Sequence, residues 1–329
     1  MSLIKAENLN KTFRIYQRGE GIKGYLNSFI KREYEEVRAV EDLDLEIGEG
    51  EMIGYIGSNG AGKSTTVKML TGILEPSSGE IVVNGRNPHR ERKKNAMDIG
   101  VVFGQKTQLW WDLPVRESFK LLKEIYEVSD SDYSDRVDEF DEVLQLSDFW
   151  DQPVRKLSLG QKMRCELAAA FLHHPKIVYL DEPTIGLDVA VKERIRDFIK
   201  KMNREENITV MLTTHDIGDI EDLCERVVVL DKGKKIYDGQ LDSLVDQFTS
   251  RRLVMELGDS DNFDLDLEGV IEVVKDDGLV EVVFDRELVS ASDLMRDILE
   301  DYEVADFRIK EPDIESVVKK VYNEGLEEG

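Results

Sequence analysis

The chain has 329 residues, of which 41% are hydrophobic and 34% are charged, and its formal net charge is −25 at pH 7. This length accommodates one large domain with a smaller domain beside it. The negative charge argues against nucleic acid as a partner, because a phosphate backbone would be repelled. No apolar run approaches the roughly 18 residues that span a bilayer, and the N-terminus lacks the apolar core of a signal peptide, so we expect a cytoplasmic protein.

The acidic residues are unevenly distributed along the chain. Residues 241–329 carry 26 acidic and 9 basic side chains, whereas residues 1–240 carry 43 and 35. A change of composition of this kind indicates a domain boundary. We therefore predict a large domain over residues 1–240 and a small acidic α/β domain over residues 241–329.

The first half of the chain passes from strand-like to helical patterns. The composition predicts strands of a β-rich layer at residues 2–13, 38–56 and 79–86. Apolar residues at helical spacing within 22–30 predict a short amphipathic helix, which either packs on its own domain or faces a partner. From residue 105 to residue 151 the pattern is helical, which predicts a helical subdomain over about 106–156.

The second half of the chain contains a longer helix at residues 157–174 and then two apolar runs of the buried parallel-strand type. These runs, 176–183 and 208–216, are separated by a helix at 188–203, and a hairpin follows at 225–239. The elements predicted after residue 240 are strands at 252–257, 269–275, 279–284 and 303–309 and helices at 291–301 and 312–323. The fold class is therefore α/β.

A glycine-rich loop with a lysine, GYIGSNGAGKSTT, follows the apolar run that ends at Ile56. It matches the pattern G-x-x-x-x-G-K-[ST], in which glycines let successive backbone N–H groups turn onto a polyphosphate. The helix N-terminus that follows adds its positive dipole end. Lys63 supplies a charge to the β- and γ-phosphates, and Ser64 supplies a hydroxyl to Mg²⁺. We assign phosphate binding to Gly57, Ser58, Asn59, Gly60, Ala61, Gly62, Lys63, Ser64 and Thr65.

Two adjacent carboxylates end the apolar run IVYLDEP. At a strand end they point to different sides, so they suit two roles. Asp181 is predicted to hold the Mg²⁺ shell, and Glu182 is predicted to act as general base on the attacking water. The alternative is that both are solvated carboxylates in a loop.

Read together with the phosphate loop, four further motifs resemble the ATP-binding subunit of an ATP-binding-cassette (ABC) transporter. Gln105 ends VVFGQ like the family's glutamine loop, and LSLGQ at residues 157–161 resembles its signature, with Leu159 where glycine is commoner. Asp188 in EPTIGLD stands at the D-loop aspartate, and His215 in LTTHD stands at the switch histidine. The resemblance covers residues 1–240 and implies a P-loop NTPase core, with a parallel sheet, an antiparallel β layer and a helical subdomain.

The resemblance also implies the cofactors ATP and Mg²⁺ and a catalytic role for Gln105 and His215, with Gln105 completing the Mg²⁺ shell. Two copies would pack head to tail, so that each ATP lies between the phosphate loop of one copy and the signature segment of the other. The residues that would meet nucleotide across this interface are Ser158, Gly160, Gln161 and Asp188. An aromatic ring would stack on adenine, and both Phe13 and Tyr16 are candidates.

Transport would require a separate transmembrane subunit, recruited by the helical segment. The large apolar residues Trp110, Trp111 and Leu113 of this segment either face that subunit or pack in the core. The motifs are similar to those of the drug- and ion-extruding branch of two-component ABC exporters. The resemblance therefore implies an exporter ATPase, peripheral on the inner face of the cell membrane, with no metal beyond Mg²⁺. The alternatives are a ribosome- or DNA-associated ABC ATPase and the ATPase of an importer. The transported molecule is not encoded in these motifs.

Overall fold

The computed structural model describes residues 2–16, 34–104, 106–214, 216–246, 250–257, 263–265, 267–276, 278–286 and 288–310. The helices predicted at 22–30 and 312–323 lie outside these ranges. The chain divides into two compact units, Met1–Asp238 and Gly239–Gly329. No helix within the described ranges has the length and apolar composition that a membrane crossing requires.

The strands of the first unit belong to two sheets. They are β1 (Ser2–Tyr16), β2 (Tyr34–Gly48), β3 (Met52–Gly57), β4 (Ser78–Val83), β5 (Ile99–Phe103), β6 (Ile177–Asp181), β7 (Thr209–Thr213), β8 (Arg226–Asp231) and β9 (Lys234–Gln240). Among the described residues, an antiparallel sheet has the order β2-β1-β4 and a second sheet has the order β5-β6-β7-β3-β8-β9. In the second sheet the neighbours from β5 to β8 are parallel.

The predicted parallel strands are confirmed, and one predicted strand is corrected. The two apolar runs form neighbouring parallel strands, with Leu180 opposite Leu212. The predicted strand 38–56 is wrong, because it is two strands in different sheets. The chain turns between them at Gly50, which has φ 74° and donates its N–H to the Thr209 hydroxyl at 2.8 Å.

Helices accompany the parallel sheet, and they are α1 (Lys63–Leu70), α2 (Arg92–Asp98), α3 (Val115–Ile125), α4 (Asp130–Leu144), α5 (Leu159–Phe171), α6 (Val189–Glu206) and α7 (Ile217–Leu223). Short 3-10 turns follow α4 at Ser147–Phe149 and Val154–Lys156. Phe198 of α6 meets Phe140 of α4 and Phe171 of α5 edge-on, with ring centroids 5.2 Å apart in both pairs. Edge-to-face aromatic packing of this kind joins the three helices.

A continuous apolar core joins residues of the antiparallel sheet to residues of the parallel sheet. Ile4 of β1 and Leu43 of β2 belong to the same buried cluster as Tyr55 of β3 and Tyr179 of β6. All four side chains are fully buried. Because such a close-packed core is rigid, the loops at the strand ends extend from a rigid scaffold.

The second unit is a separate α/β structure. Its elements are α8 (Leu241–Asp246), β10 (Ser250–Leu257), β11 (Val270–Asp276), β12 (Leu279–Asp285), α9 (Ala291–Asp301) and β13 (Val304–Lys310). In the described part of the unit, the strands form an antiparallel sheet of order β11-β12-β10-β13. Leu294 and Ile298 of α9 share a core with Leu253 of β10 and Phe284 of β12.

Candidate functional site

The glycine-rich loop connects β3 to α1 at the carboxyl end of the parallel strands. A Cβ atom on Gly57 would lie 2.8 Å from the carbonyl oxygen of Leu230 in β8. A Cβ atom on Gly62 would collide with the carbonyl oxygen of Ala39 in β2, and Gly62 also has φ 105°. The backbones of β8 and β2 therefore lie too close to the loop for a side chain, and only glycine fits at positions 57 and 62.

Lys63 begins α1 and turns its side chain back into the loop. It is 7% exposed. Its ammonium donates to the carbonyl oxygens of Gly57 and, at 3.2 Å, of Ser58. Burial lowers the pKa of Lys63, and the nearby carboxylates of Glu182 and Asp181 oppose that effect. The loop thus holds a buried cation against the carbonyl oxygens of its first two residues.

The remaining residues of the loop line its outer side or support it. Of these, Ser58, Asn59 and Gly60 are exposed, whereas Ala61 is buried and Thr65 is half-buried. The Ala61 N–H donates to the Ser58 carbonyl at 3.0 Å. A tight turn therefore leaves the exposed tip free to meet a ligand.

Ser64 and Asp181, which are far apart in sequence, lie side by side. The Ser64 hydroxyl is 3.2 Å from Oδ2 of Asp181, and Oδ1 of Asp181 accepts a hydrogen bond from the Thr213 hydroxyl. A hydroxyl and a carboxylate at this spacing form the oxygen donor set that Mg²⁺ prefers. The residues predicted to bind the metal from β6 and α1 therefore fit such an ion.

Glu182 follows β6 and has an unusual backbone conformation. Its φ is 56°, and its N–H donates to the Thr213 carbonyl of β7 at 2.8 Å. The left-handed backbone turns the chain sharply after the strand. The side chains of Asp181 and Glu182 therefore do not follow the alternation between opposite faces that successive residues show within a strand. A cavity of about 340 Å³ is lined by Ser64, Asp181 and Glu182, among others.

Two predicted catalytic residues, Gln105 and His215, lie outside the described residues. Their neighbours are described. The Gly104 N–H donates to the Asp181 carbonyl at 2.9 Å, and the Asp216 N–H donates to the Thr214 hydroxyl at 2.9 Å. The chain on one side of each residue is therefore anchored beside the site.

The signature segment caps a helix. Ser158 precedes α5, and its hydroxyl oxygen accepts the Gln161 N–H at 3.2 Å while Oε1 of Gln161 accepts the Ser158 N–H at 2.9 Å. This capping box confirms the predicted capping position of Ser158. Because the hydroxyl oxygen is the acceptor, the hydroxyl proton stays available to a further acceptor.

The remaining signature residues lie close to α6 and to the segment that leads into it. A Cβ atom on Gly160 would lie 3.4 Å from the side chain of Val191, and one on Gly186 would lie 3.3 Å from the side chain of Leu159. Leu159, which replaces the commoner glycine, is half exposed beside Gly186. Asp188 caps α6 by accepting the Val191 N–H at 2.9 Å.

The two aromatic candidates for an adenine contact lie at the far end of β1. Phe13 pairs with Val37 of β2, two residues before Ala39, which touches the glycine-rich loop. Phe13 is about one-third exposed, and the Lys11 ammonium lies 5.3 Å from its ring centroid. Tyr16 lies three residues further along β1, opposite Tyr34 at the start of β2. The register thus places Phe13 nearer to the loop.

Sequence reasoning missed two contributors to this region, Thr213 and Asp219. Thr213 is the last residue of β7 and bonds to Asp181, a contact that the order of strands decides. Asp219 is fully buried on α7 and pairs with Arg196 of α6. A signal for the second was present, because basic residues at 192, 196 and 200 and acidic residues at 216, 219 and 222 each repeat at helical spacing.

The arrangement combines a glycine-rich loop before a helix N-terminus, a buried ammonium, a magnesium-type donor pair and a neighbouring carboxylate. The first three suit a nucleoside triphosphate, because they meet its negative charge from different directions. A carboxylate beside them can accept the proton of an attacking water molecule. This chemistry is hydrolysis of a phosphoanhydride.

Comparisons with known proteins agree with this chemistry. Residues 40–185 match the family model described as ABC transporter. The ABC transporter ATP-binding protein NatA of Bacillus subtilis is 32% identical over 217 residues, which cover 66% of this chain and 88% of that relative. The methionine import ATP-binding protein MetN of Geobacillus kaustophilus is 38% identical over 209 residues, which cover 62% of this chain and 61% of that relative.

Solved structures show the same fold. The dimeric ATP-binding cassette MJ0796, in a post-hydrolysis state bound to ADP and Pi, aligns with a TM-score of 0.61 at 28% identity, covering 72% of this chain and 98% of that chain. The protein cbiO1 from Clostridium perfringens, part of the ABC transporter complex cbiONQ, aligns with a TM-score of 0.60 at 29% identity. That alignment covers 74% of this chain and 91% of the other.

These matches confirm the predicted fold class and the predicted family. The alignment with this chain covers most of the length of NatA at more than 30% identity. Both solved structures are ATP-binding cassettes or parts of an ABC transporter. The chain belongs to the ATP-binding subunits of ABC transporters, and it is an ATPase.

Proposed function

We propose that this ATPase powers a membrane exporter through a separate transmembrane subunit. Residues 1–240 serve as the nucleotide-binding domain and residues 241–329 as an accessory domain. The observation that carries the hydrolytic part is the placement of Ser64, Asp181 and Glu182 around one cavity at the ends of β6 and α1. The subunit works on the cytoplasmic face of the membrane and has no nucleic acid partner.

The residues of the glycine-rich loop bind the phosphates, and Lys63 neutralises charge on the β- and γ-phosphates. Ser64, Asp181 and Gln105 hold Mg²⁺, which supplies positive charge to the phosphate oxygens. Glu182 accepts a proton from the attacking water, and His215 acts as the switch histidine. The 3.2 Å separation of Ser64 and Asp181 supports the metal assignment.

A second copy of the chain completes each site. Its Ser158, Gly160 and Gln161 meet the γ-phosphate, and its Asp188 lies at the same interface. The hydroxyl proton that remains available on the capping residue Ser158 supports this role. The dimeric state reported for MJ0796 supports a pair of cassettes as the working unit. Phe13 stacks on adenine, for which its proximity to the glycine-rich loop is the argument.

The transmembrane subunit docks on the segment that follows Gln105. Trp111 is 54% exposed and Trp110 is 38% exposed, although large aromatic side chains are usually buried. Exposed aromatic residues in one segment are typical of protein contact sites. Because this segment begins at a predicted Mg²⁺ ligand, nucleotide binding can be transmitted to it.

An importer is the second candidate, and the relatives give a specific reason to keep it. The methionine import ATP-binding protein MetN 3 of Bacillus cereus is 32% identical over 268 residues, which cover 79% of this chain. Inverted membrane vesicles that contain the complex distinguish the two directions, since their ATPase subunits face the outer solution. ATP-driven accumulation of an amphiphilic cation or of Na⁺ inside these vesicles supports export. ATP-driven release of preloaded methionine would support import instead.

The hydrolytic mechanism is tested by Glu182→Gln. Loss of a general base lowers turnover by about 10²–10⁴-fold, while the phosphate loop and the metal ligands remain intact. We expect normal ATP binding by calorimetry and a stable dimer with ATP and Mg²⁺ by light scattering. Glu205→Gln, an exposed position at the end of α6, is the matched control and keeps the parental rate. Hydrolysis at the parental rate by Glu182→Gln would refute the base assignment.

A further inference from the structure

A buried carboxylate joins two segments of the site without belonging to either. Asp219 of α7 is fully buried, and its Oδ1 lies 2.7 Å from Nε and 2.6 Å from Nη2 of Arg196. Its Oδ2 accepts hydrogen bonds from the hydroxyl of Thr184 and, at 3.4 Å, from the hydroxyl of Thr214. A buried charge is tolerated because one ion pair and two hydroxyl groups satisfy it.

The two threonines belong to different parts of the catalytic region. Thr184 stands two residues after Glu182, and Thr214 directly precedes His215 in the chain. Both threonines are buried, with exposed fractions of 1% and 3%. The Asp219 carboxylate therefore fixes the position of two chain segments, the one at Thr184 after β6 and the one at Thr214 after β7. This matters most at Glu182, whose left-handed φ of 56° requires support from its surroundings.

Asp219 is the middle member of a series of ion pairs between α6 and α7. The pairs are Lys192 with Asp216, Arg196 with Asp219, and Lys200 with Asp222. In the outer pairs both side chains are partly exposed, whereas Asp219 is not exposed at all. Solvent screening makes exposed pairs weak. The outer pair at Asp222 thus holds the same two helices together without reaching the site.

We propose that Asp219 is a positioning residue for ATP hydrolysis, which acts through Thr184 and Thr214 to hold the backbone that carries Glu182. The proposal rests on the proposed role of Glu182. Asp219 does not touch the nucleotide. Its effect comes from geometry, because a displacement of about 1 Å at a reacting group can lower a rate by roughly 10²-fold.

The hydroxyl of Thr184 is the most specific point to test, since it can be removed without changing the shape of the side chain. In Thr184→Val we expect kcat to fall at least about tenfold, while the KM for ATP and the Kd of an ATP analogue stay within about twofold. Thr184→Ser keeps the hydroxyl and restores kcat to near the parental value. Asp222→Asn is the matched control, and it keeps the parental kcat and KM.

Either of two results would overturn the proposal. One is a parental kcat in Thr184→Val. The other is a Thr184→Ser enzyme as impaired as Thr184→Val, which would mean that the methyl group and not the hydroxyl is required.

Asp219 itself is tested with a pair of variants, because Asp219→Asn removes the nearer charge partner of Arg196, leaves it the looser 4.0 Å pair with Asp222, and lowers the melting temperature. The double change Asp219→Asn with Arg196→Gln removes that poorly paired charge. We expect it to recover much of the melting temperature while kcat remains low. Joint recovery of melting temperature and kcat would show that Asp219 only stabilises the fold, and the proposal would fail.

Glu182→Gln, measured beside these variants, separates this inference from the proposed function. Parental hydrolysis by Glu182→Gln would refute the general base. An inactive Glu182→Gln together with a fully active Thr184→Val would refute the positioning role alone.

Discussion

At the scale of single residues, His173 shows how burial changes the acid stability of the fold. Its ring stacks on Tyr126 with centroids 3.8 Å apart, and its Nε2 lies 3.0 Å from the Ile99 carbonyl oxygen, to which it donates. Burial lowers the pKa of His173 to about 4, against an ordinary value of 6.5. The imidazole of His173 therefore binds a proton more weakly in the native state than in the unfolded state.

The sign of the pH dependence follows from that difference. Above pH 6.5 the imidazole is neutral in both states, and its contribution to stability is fully present. As the pH falls from 6.5 towards 4, the unfolded state takes up the proton first and the native state loses stability. A difference of 1.5 pH units below 6.5 corresponds to about 2 kcal/mol.

We predict that His173→Phe flattens this dependence. The phenyl ring keeps the stack on Tyr126 but does not titrate. Urea unfolding at pH 7 and pH 5, followed by tryptophan fluorescence, should show that the parent loses about 2 kcal/mol more than the variant. Tyr126→Phe keeps the stack and the imidazole, so it should retain the parental slope. Equal losses in the parent and in His173→Phe would contradict the prediction.

At the scale of elements, the segment between β5 and α3 combines exposed aromatic rings with a firmly held backbone. The Arg155 N–H donates to the Trp111 carbonyl at 3.0 Å, and the Trp110 N–H donates to the Ser118 hydroxyl at 3.1 Å. The Lys162 ammonium of α5 lies 5.7 Å from the Trp111 ring centroid. The segment thus links the signature helix to the surface on which we propose that the transmembrane subunit docks.

Trp111→Ala tests that surface. An exposed tryptophan contributes little to folding, so the melting temperature should stay near the parental value. Co-purification with the transmembrane subunit should weaken, because truncation of an aromatic anchor commonly costs 2 kcal/mol or more of binding. Trp150, which packs on buried Phe119 at 4.9 Å, is the control. Trp150→Ala should lower the melting temperature, since loss of a packed aromatic costs about 3–5 kcal/mol.

The opposite pattern would reject the docking surface. A large drop in the melting temperature of Trp111→Ala, with the complex still formed, would assign the ring to folding rather than to a partner.

At the scale of the whole molecule, each ATPase site is proposed to need two copies of the chain. The signature segment begins at residue 157, far along the chain from the loop at residues 57–65, and it caps α5. Ser158→Arg and Lys63→Ala should each abolish hydrolysis. A mixed dimer of the two variants contains one site with both defects and one site with neither.

Partial recovery of ATPase activity on mixing is the expected result, measured with differently tagged variants so that mixed dimers can be isolated. Each variant alone is the control. Isolated mixed dimers without any recovery would argue against sites shared between copies.

Several features of the protein were determined by sequence alone, because they depend on residues close together in the chain. The strand, loop and helix from Met52 to Leu70 and the capping box at Ser158 involve contacts over a few residues. Local spacing decides such contacts before any tertiary packing. The family could be recognised for the same reason, since each of its motifs is short.

Other features were decided only by the tertiary structure, because they depend on which strand ends meet. Asp181 lies against Ser64 and Thr213 since β6 and β7 are neighbours and their carboxyl ends share one edge with α1. The division of residues 38–56 between two sheets follows from a turn that apolar periodicity does not encode. Asp219 reaches Thr184 and Thr214 only after α6 and α7 pack together. Strand order and helix packing therefore assemble the site, because they bring together groups that no local pattern relates.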